Sequence, residues 1–172
     1  MGAHLVLGGN RSGKSGFAAR QAAESGLPVL FVATAQAADE EMAHRIRIHK
    51  ANRPAHWQVA EEPVHVADLL LAHAGPERFV LVDCLTIWLT NLLLHADPGL
   101  LHRQQQALFH ALQQATGPVL LVGNETGLGI TPMGALSRQF IDENGHLHQK
   151  LAQLCSRVTL VVAGLPLSLK GG

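Results

Sequence analysis

Short apolar runs alternate along the chain with longer stretches in which apolar residues recur every three or four positions. Ala3–Leu7, Val29–Ala33, Phe79–Val82, Val119–Val122 and Val158–Ala163 read as strands, each nearly continuous in hydrophobicity. Continuous runs of that kind belong in a sheet covered on both faces. Lys14–Ser25, Asp39–Asn52, Val64–His73, Thr86–His95, Leu100–Ala115 and Leu136–Cys155 read as helices, the last with a candidate break at Asn144-Gly145. Thr34–Ala38, Arg53–Pro63, Ala96–Gly99 and Thr126–Gly134 are left as irregular connections. Such alternation predicts a parallel sheet between helical layers, with ligand-binding loops at the carboxyl ends of the strands.

A chain of 172 residues, 47% of them hydrophobic, can bury a full core but hardly divides, so residues 1–172 are expected to form one domain. Thirteen basic residues balance thirteen acidic ones, which gives no bulk field to attract nucleic acid or an anionic membrane. Cys84 and Cys155 are too few for a disulfide framework and lie in apolar segments, which suits a reducing compartment. No apolar run approaches the ~18 residues of a membrane span. The N-terminus also lacks a basic region followed by a hydrophobic stretch, so a soluble cytoplasmic protein is expected.

Gly8-Gly9-Asn10-Arg11-Ser12-Gly13-Lys14-Ser15 is a complete G-x-x-x-x-G-K-S sequence between a predicted strand and a predicted helix. Glycines let the backbone wrap a phosphate chain so that successive N–H groups point inward, and the helix adds the positive end of its dipole. Lys14 then reaches the β/γ-phosphates of a nucleoside triphosphate and the Ser15 hydroxyl reaches Mg2+. A chance glycine-rich turn is the alternative, and the strand-loop-helix context argues against it. Together with the alternating pattern, the motif predicts an α/β, three-layer domain of the P-loop NTPase type with a mostly parallel central sheet.

Phe79-Val80-Leu81-Val82-Asp83 is an apolar strand ending in a carboxylate, the form of a Walker B element. Asp83 would hold Mg2+ or its water; as a cap of the helix beginning near Thr86 it would do neither. Val119-Leu120-Leu121-Val122-Gly123-Asn124-Glu125 likewise runs from a strand into polar groups. There, Asn124 and Glu125 either orient a substrate hydroxyl or metal-bound water, or are ordinary turn residues. Thr34, after Val29–Ala33, carries the same two readings.

Asp39–Trp57 is unusual in composition: acids open it and Arg53-Pro54 closes it. Arg45, His49 and Arg53 share one face at a spacing of four. Two guanidinium groups there can grip a phosphate chain while imidazole attacks phosphorus, or the face is simply basic and solvated. Of the eleven histidines, His146 and His148 form an i,i+2 pair without a completing ligand set, and both are expected at the surface.

GGNRSGKS, VATAQ, R-I-x-x-H-K-x-x-R-P-x-x-W, VDCLTIWLTNLL and NETGLGITP follow one another from Leu5 to beyond Gly129. In that order they resemble the bifunctional adenosylcobinamide kinase and adenosylcobinamide-phosphate guanylyltransferase family of cobalamin biosynthesis. The resemblance implies that His49 becomes covalently guanylylated by GTP and that Lys14 and Ser15 serve nucleotide binding. It further implies that Thr34, Lys50, Arg53, Glu61 and Asp83 line nucleotide sites, with Ala33, Ala35, Ala51 and Asn52 beside them. Asn10 stands where the family commonly has alanine. Ile48-His49 replaces the adjacent histidine pair of some relatives, leaving His44 and His56 as the nearest substitutes.

The reactions so implied are phosphorylation of adenosylcobinamide by ATP or GTP, then transfer of GMP from GTP through His49 to give adenosylcobinamide-GDP. Mg2+, a corrinoid substrate and a homotrimer belong to the same implication. Two other readings are a P-loop kinase of another small alcohol, which forms no covalent nucleotide, and a nucleotide-dependent switch.

Overall fold

The computed structural model describes residues 2–36, 40 and 54–171. Of the helix expected over Asp39–Asn52, only Glu40 falls among them. The described residues form a seven-stranded sheet in the order β3-β2-β4-β5-β1-β6-β7. Its strands are β1 (His4–Gly8), β2 (Val29–Ala33), β3 (Gln58–Glu61), β4 (Phe79–Asp83), β5 (Val119–Asn124), β6 (Arg157–Val162) and β7 (Leu165–Lys170). Every pairing is parallel except that of β6 with β7.

β1 is buried along its whole length, and β2, β4 and β5 are buried to their last residue but one, as continuous apolar runs between two helical layers must be. On one face α1 (Lys14–Glu24) presents Ala18 and Ala22, four apart, to Val6, Leu120 and Val122. The other face is covered by α2 (Val66–His73), α3 (Leu85–Leu93), α4 (Leu100–Gln114) and α5 (Ala135–Leu154). There Leu70, Trp88, Leu108, Leu147 and Leu151 are fully buried against Leu5, Val82 and Leu121. The predicted three-layer, mostly parallel α/β architecture is thus present.

Three expectations need correction. Within Arg53–Pro63, expected to be irregular, Gln58–Glu61 forms the edge strand β3; its side chains are largely exposed, so hydrophobicity carries no sign of it. β7, exposed at every position, also lies outside the predicted strands, since it shows alternation rather than a continuous apolar run. Its hairpin turns on Ala163 and Gly164, both at positive φ, the pattern of a tight two-residue connection. Finally, α5 does not break at Asn144-Gly145. Asn144 is buried, and its amide donates to Asn124 O at 3.0 Å and Thr126 Oγ1 at 3.2 Å, so tertiary bonds offset its low helix propensity.

Candidate nucleotide-binding site

Strand register gathers the candidate residues along one edge. Gly8 at the end of β1 lies opposite Asn124 on β5, and Asp83 at the end of β4 lies opposite Ala33 on β2 and Val122 on β5. Glu61, ending β3, lies opposite Ala33. Residues from five separate strands therefore share the carboxyl edge of the sheet, where α/β proteins bind ligands.

The phosphate-loop sequence forms a tight turn at this edge. Ser12 N–H donates to Gly9 O at 3.2 Å, and Arg11 and Gly13 adopt φ of 55° and 93°. Gly13 caps α1, whose first N–H groups face the loop. At Gly8 a side chain is excluded: a Cβ would lie 2.6 Å from Val161 O and 2.4 Å from Ser12 Oγ. The β6–β7 hairpin buttresses the loop from the other side, with Gly164 N–H donating to Ser12 O at 2.8 Å. That support was not anticipated, although the alternating Leu165, Leu167 and Leu169 after Ala163-Gly164 carry a hairpin signal.

Lys14 is buried, and its ammonium donates to Gly9 O at 3.1 Å across the loop. Burial pushes its pKa below the ordinary lysine value, against the opposing pull of Cys84 and Asp83. A cation so little solvated interacts strongly with a polyphosphate. Ser15 and Asp83 are each half-buried at this edge. α3 takes Cys84 rather than Asp83 as its N-cap, with no side-chain capping bond. Burial raises the Cys84 thiol to about 11, reinforced by Asp83, so it stays protonated near neutral pH.

Thr34 is fully buried. Its hydroxyl donates to Cys84 O at 2.8 Å and accepts from Cys84 N–H at 3.0 Å, fastening the end of β2 to the β4–α3 junction. Asn91 on α3 donates to both Thr34 O and Pro63 O, at 2.9 and 3.0 Å, and so holds two edge loops together. The Thr34 side chain thus shapes the site from beneath. Ala35 follows it, half-buried.

The β5 end is more elaborate than a turn. Glu125 N–H donates to Gly8 O at 3.0 Å, while Asn124 N–H donates to Thr86 Oγ1 at 2.7 Å. His148 overturns its expected surface position: it is 6% exposed, beneath the end of β5, with Nδ1 3.8 Å from Glu125 Oε2. Exposed His146 matches the expectation. His49, Lys50, Ala51, Asn52 and Arg53 lie outside the described residues, as do His44 and Arg45. His56 is described and exposed.

A phosphate loop joining β1 to α1, a buried lysine at its mouth and an acid ending a nearby strand define a P-loop nucleotide-binding protein. Solved structures agree at the level of fold. A KaiC-like protein from the hyperthermophilic archaea Pyrococcus horikoshii OT3 is similar with a TM-score of 0.50 at 16% identity, over 92% of this chain and 70% of that one. The P4 protein of bacteriophage phi6, solved in complex with ADP, is similar with a TM-score of 0.50 at 17% identity, over 96% of this chain and 52% of that one. Sequence narrows the class, since residues 4–169 match the CobU family, described as cobinamide kinase / cobinamide phosphate guanyltransferase. The chain is also 56% identical to the bifunctional adenosylcobalamin biosynthesis protein CobP of Pseudomonas aeruginosa, over 97% of this chain and 96% of the relative. It belongs to the CobU family.

Proposed function

We propose that the chain phosphorylates adenosylcobinamide with ATP or GTP and then transfers GMP from GTP, through a guanylylated His49, to give adenosylcobinamide-GDP. Both transfers are those of the family to which it belongs. The carrying observation is the phosphate loop with Lys14 buried at its mouth, on the same strand edge as Asp83. Loop N–H groups and the Lys14 ammonium bind the triphosphate and meet the charge that builds up on the phosphoryl oxygens. Gly8, Gly9, Asn10, Arg11, Ser12 and Gly13 contribute backbone. Ala33, Thr34, Ala35 and Glu61 border the nucleotide, with Lys50, Ala51, Asn52 and Arg53 beside the nucleophile.

Ser15 and Asp83 offer a hydroxyl and a carboxylate, hard oxygen donors of the kind Mg2+ takes alongside water and phosphate. Among the described residues no cluster of three or more His, Cys, Asp or Glu side chains forms a cage for a metal. Bound there, Mg2+ would neutralise charge on the phosphate oxygens.

In the second transfer, His49 attacks the α-phosphorus of GTP. A His49 N–P bond forms as the bond to the bridging oxygen breaks, and pyrophosphate leaves. The phosphate oxygen of adenosylcobinamide phosphate then attacks the same phosphorus and releases the imidazole. The covalent route divides one displacement between two bulky anions into two steps. A homotrimer acting in the cytoplasm belongs to this reading; sedimentation of the purified chain tests the trimer. No described helix is long and apolar enough to cross a membrane.

The test is to incubate the chain with α-labelled or, separately, γ-labelled GTP and Mg2+, quench in denaturant and count acid-labile, base-stable label. Retention of α-label alone, lost in His49→Ala, is expected. Wild-type chain that binds GTP but keeps no label overturns the covalent step and leaves a simple kinase or a switch.

A further inference from the structure

Three consecutive residues at the end of β5 are held by two residues one helical turn apart on α5. Asn144 donates to Asn124 O and to Thr126 Oγ1, and His148 lies over Glu125. The imidazole reaches the sheet because position 123 is glycine. A Cβ there would lie 2.8 Å from His148 Nε2 and 3.3 Å from Leu7 Cδ2.

His148 is 94% buried by its 6% exposure, yet neither ring nitrogen has a hydrogen-bond partner among the described residues. A buried, unpartnered polar ring costs free energy, so a structural role alone would be served better by an apolar side chain. Burial lowers its pKa below the ordinary imidazole value despite the opposing Glu125 carboxylate, so the ring is neutral near pH 7 and carries one N–H. On Nδ1, that hydrogen faces Glu125 Oε2 at 3.8 Å, too long for a hydrogen bond and short enough to close by a small side-chain movement.

Glu125 itself is a quarter exposed, and its other carboxylate oxygen accepts Gly127 N–H at 2.7 Å. Its backbone N–H is bonded to Gly8 O, the first residue of the phosphate loop. The carboxylate is therefore tied to the strand next to the loop, on the β4 side where Asp83 stands.

We propose that Glu125 is the acceptor-side base of the phosphoryl transfer and that His148 is its positioning residue. This inference rests on the kinase half of the function proposed above. Glu125 accepts the proton of the acceptor hydroxyl as that oxygen bonds to the γ-phosphorus. The bond from the γ-phosphorus to the bridging oxygen breaks, the nucleoside diphosphate leaves with the electron pair, and the proton passes from Glu125 to solvent. The His148 N–H fixes Oε2 so that the carboxylate presents one orientation.

The experiment measures adenosylcobinamide phosphorylation and, in parallel, guanylylation of the protein by α-labelled GTP, in the wild-type chain and in Glu125→Gln, His148→Leu and His148→Asn. Glu125→Gln is expected to lower kcat of phosphorylation by about 100-fold or more, the usual scale of a lost general base. The KM for nucleotide and the guanylylation are expected to stay at wild-type values. His148→Leu should lower kcat about 10-fold through a mobile carboxylate, and His148→Asn, which keeps a donor at the Nδ1 position, should restore most of it. A Glu125→Gln kcat within threefold of wild type sinks the base assignment. Parallel loss of phosphorylation and guanylylation assigns the pair to nucleotide binding or folding instead. Equal kcat in His148→Leu and His148→Asn removes the positioning role. Wild-type chain that labels on His49 but phosphorylates no adenosylcobinamide fails the kinase reading itself, and this inference with it.

Discussion

Acidification should destabilise the fold through His4 by an amount that can be worked out. His4 is 6% exposed on β1, with Nε2 2.8 Å from Thr159 Oγ1 on β6 and its ring edge-on to Phe17 of α1 at 6.2 Å. Burial, and secondarily the charge of Arg157, lowers its pKa from 6.5 to about 4. Below pH 6.5 the unfolded chain takes up a proton that the folded chain refuses until pH is near 4. Stability from this group is thus complete above 6.5, falls through the window and reaches its minimum below 4. At about 1.4 kcal/mol per pH unit the full loss is roughly 3 kcal/mol, a few hundredfold in the ratio of folded to unfolded chain. His148 is shifted in the same direction, so the acid slope of the wild type alone does not isolate His4. His4→Gln supplies the difference, since its amide reaches Thr159 and does not titrate. Urea unfolding at about pH 7 and about pH 4.5 should show wild type losing roughly 2–3 kcal/mol more than His4→Gln. Equal losses in the two proteins would refute the linkage.

Two further outcomes follow from the site geometry. Gly8→Ala drives a methyl into Val161 O and should cost about 1–3 kcal/mol, whereas Gly9→Ala, with nothing within 4 Å, should unfold within about 0.5 kcal/mol of wild type. Denaturant midpoints measure both, and similar costs would contradict the contact. Thr34→Val preserves shape but strips Cys84 N–H and C=O of their shared partner, so a loss of about 1–3 kcal/mol is expected by calorimetry; an unchanged midpoint would mean the junction finds other bonds.

Much of the architecture was legible because burial on both faces of a parallel sheet leaves a direct trace in sequence. Hydrophobicity alone locates Val29–Ala33 to the residue, three of the other predicted strands to within one residue at either end, and the strand predicted at Val119–Val122 two residues short of its observed end at Asn124. β3 and β7 left no such trace. Both lie at sheet edges and are solvated, so neither shows a continuous apolar run, and β7 shows only the alternation of Leu165, Leu167 and Leu169. The helix break expected at Asn144-Gly145 failed in the opposite way. Local propensity disfavours a helix there, and two bonds to the end of β5 outweigh it.

Chemistry divided along the same line. The phosphate loop is local: eight consecutive residues carry the turn, the cation and the hydroxyl, and no distant contact is needed to read it. Asp83 was visible as the acid ending an apolar strand. His148 was misjudged as a surface residue because nothing in its own neighbourhood shows that Gly123, far away in sequence, leaves room for an imidazole against the sheet. The support of the loop by Gly164 and of Thr34 by Asn91 likewise joins residues far apart in the chain. Sequence by itself determined the strand and helix periods and the phosphate-binding motif, since both are set by neighbours within a turn or two. Only the tertiary structure decided which polar groups are buried against that motif, because burial and register arise from packing between strands and helices that meet only once the chain has folded.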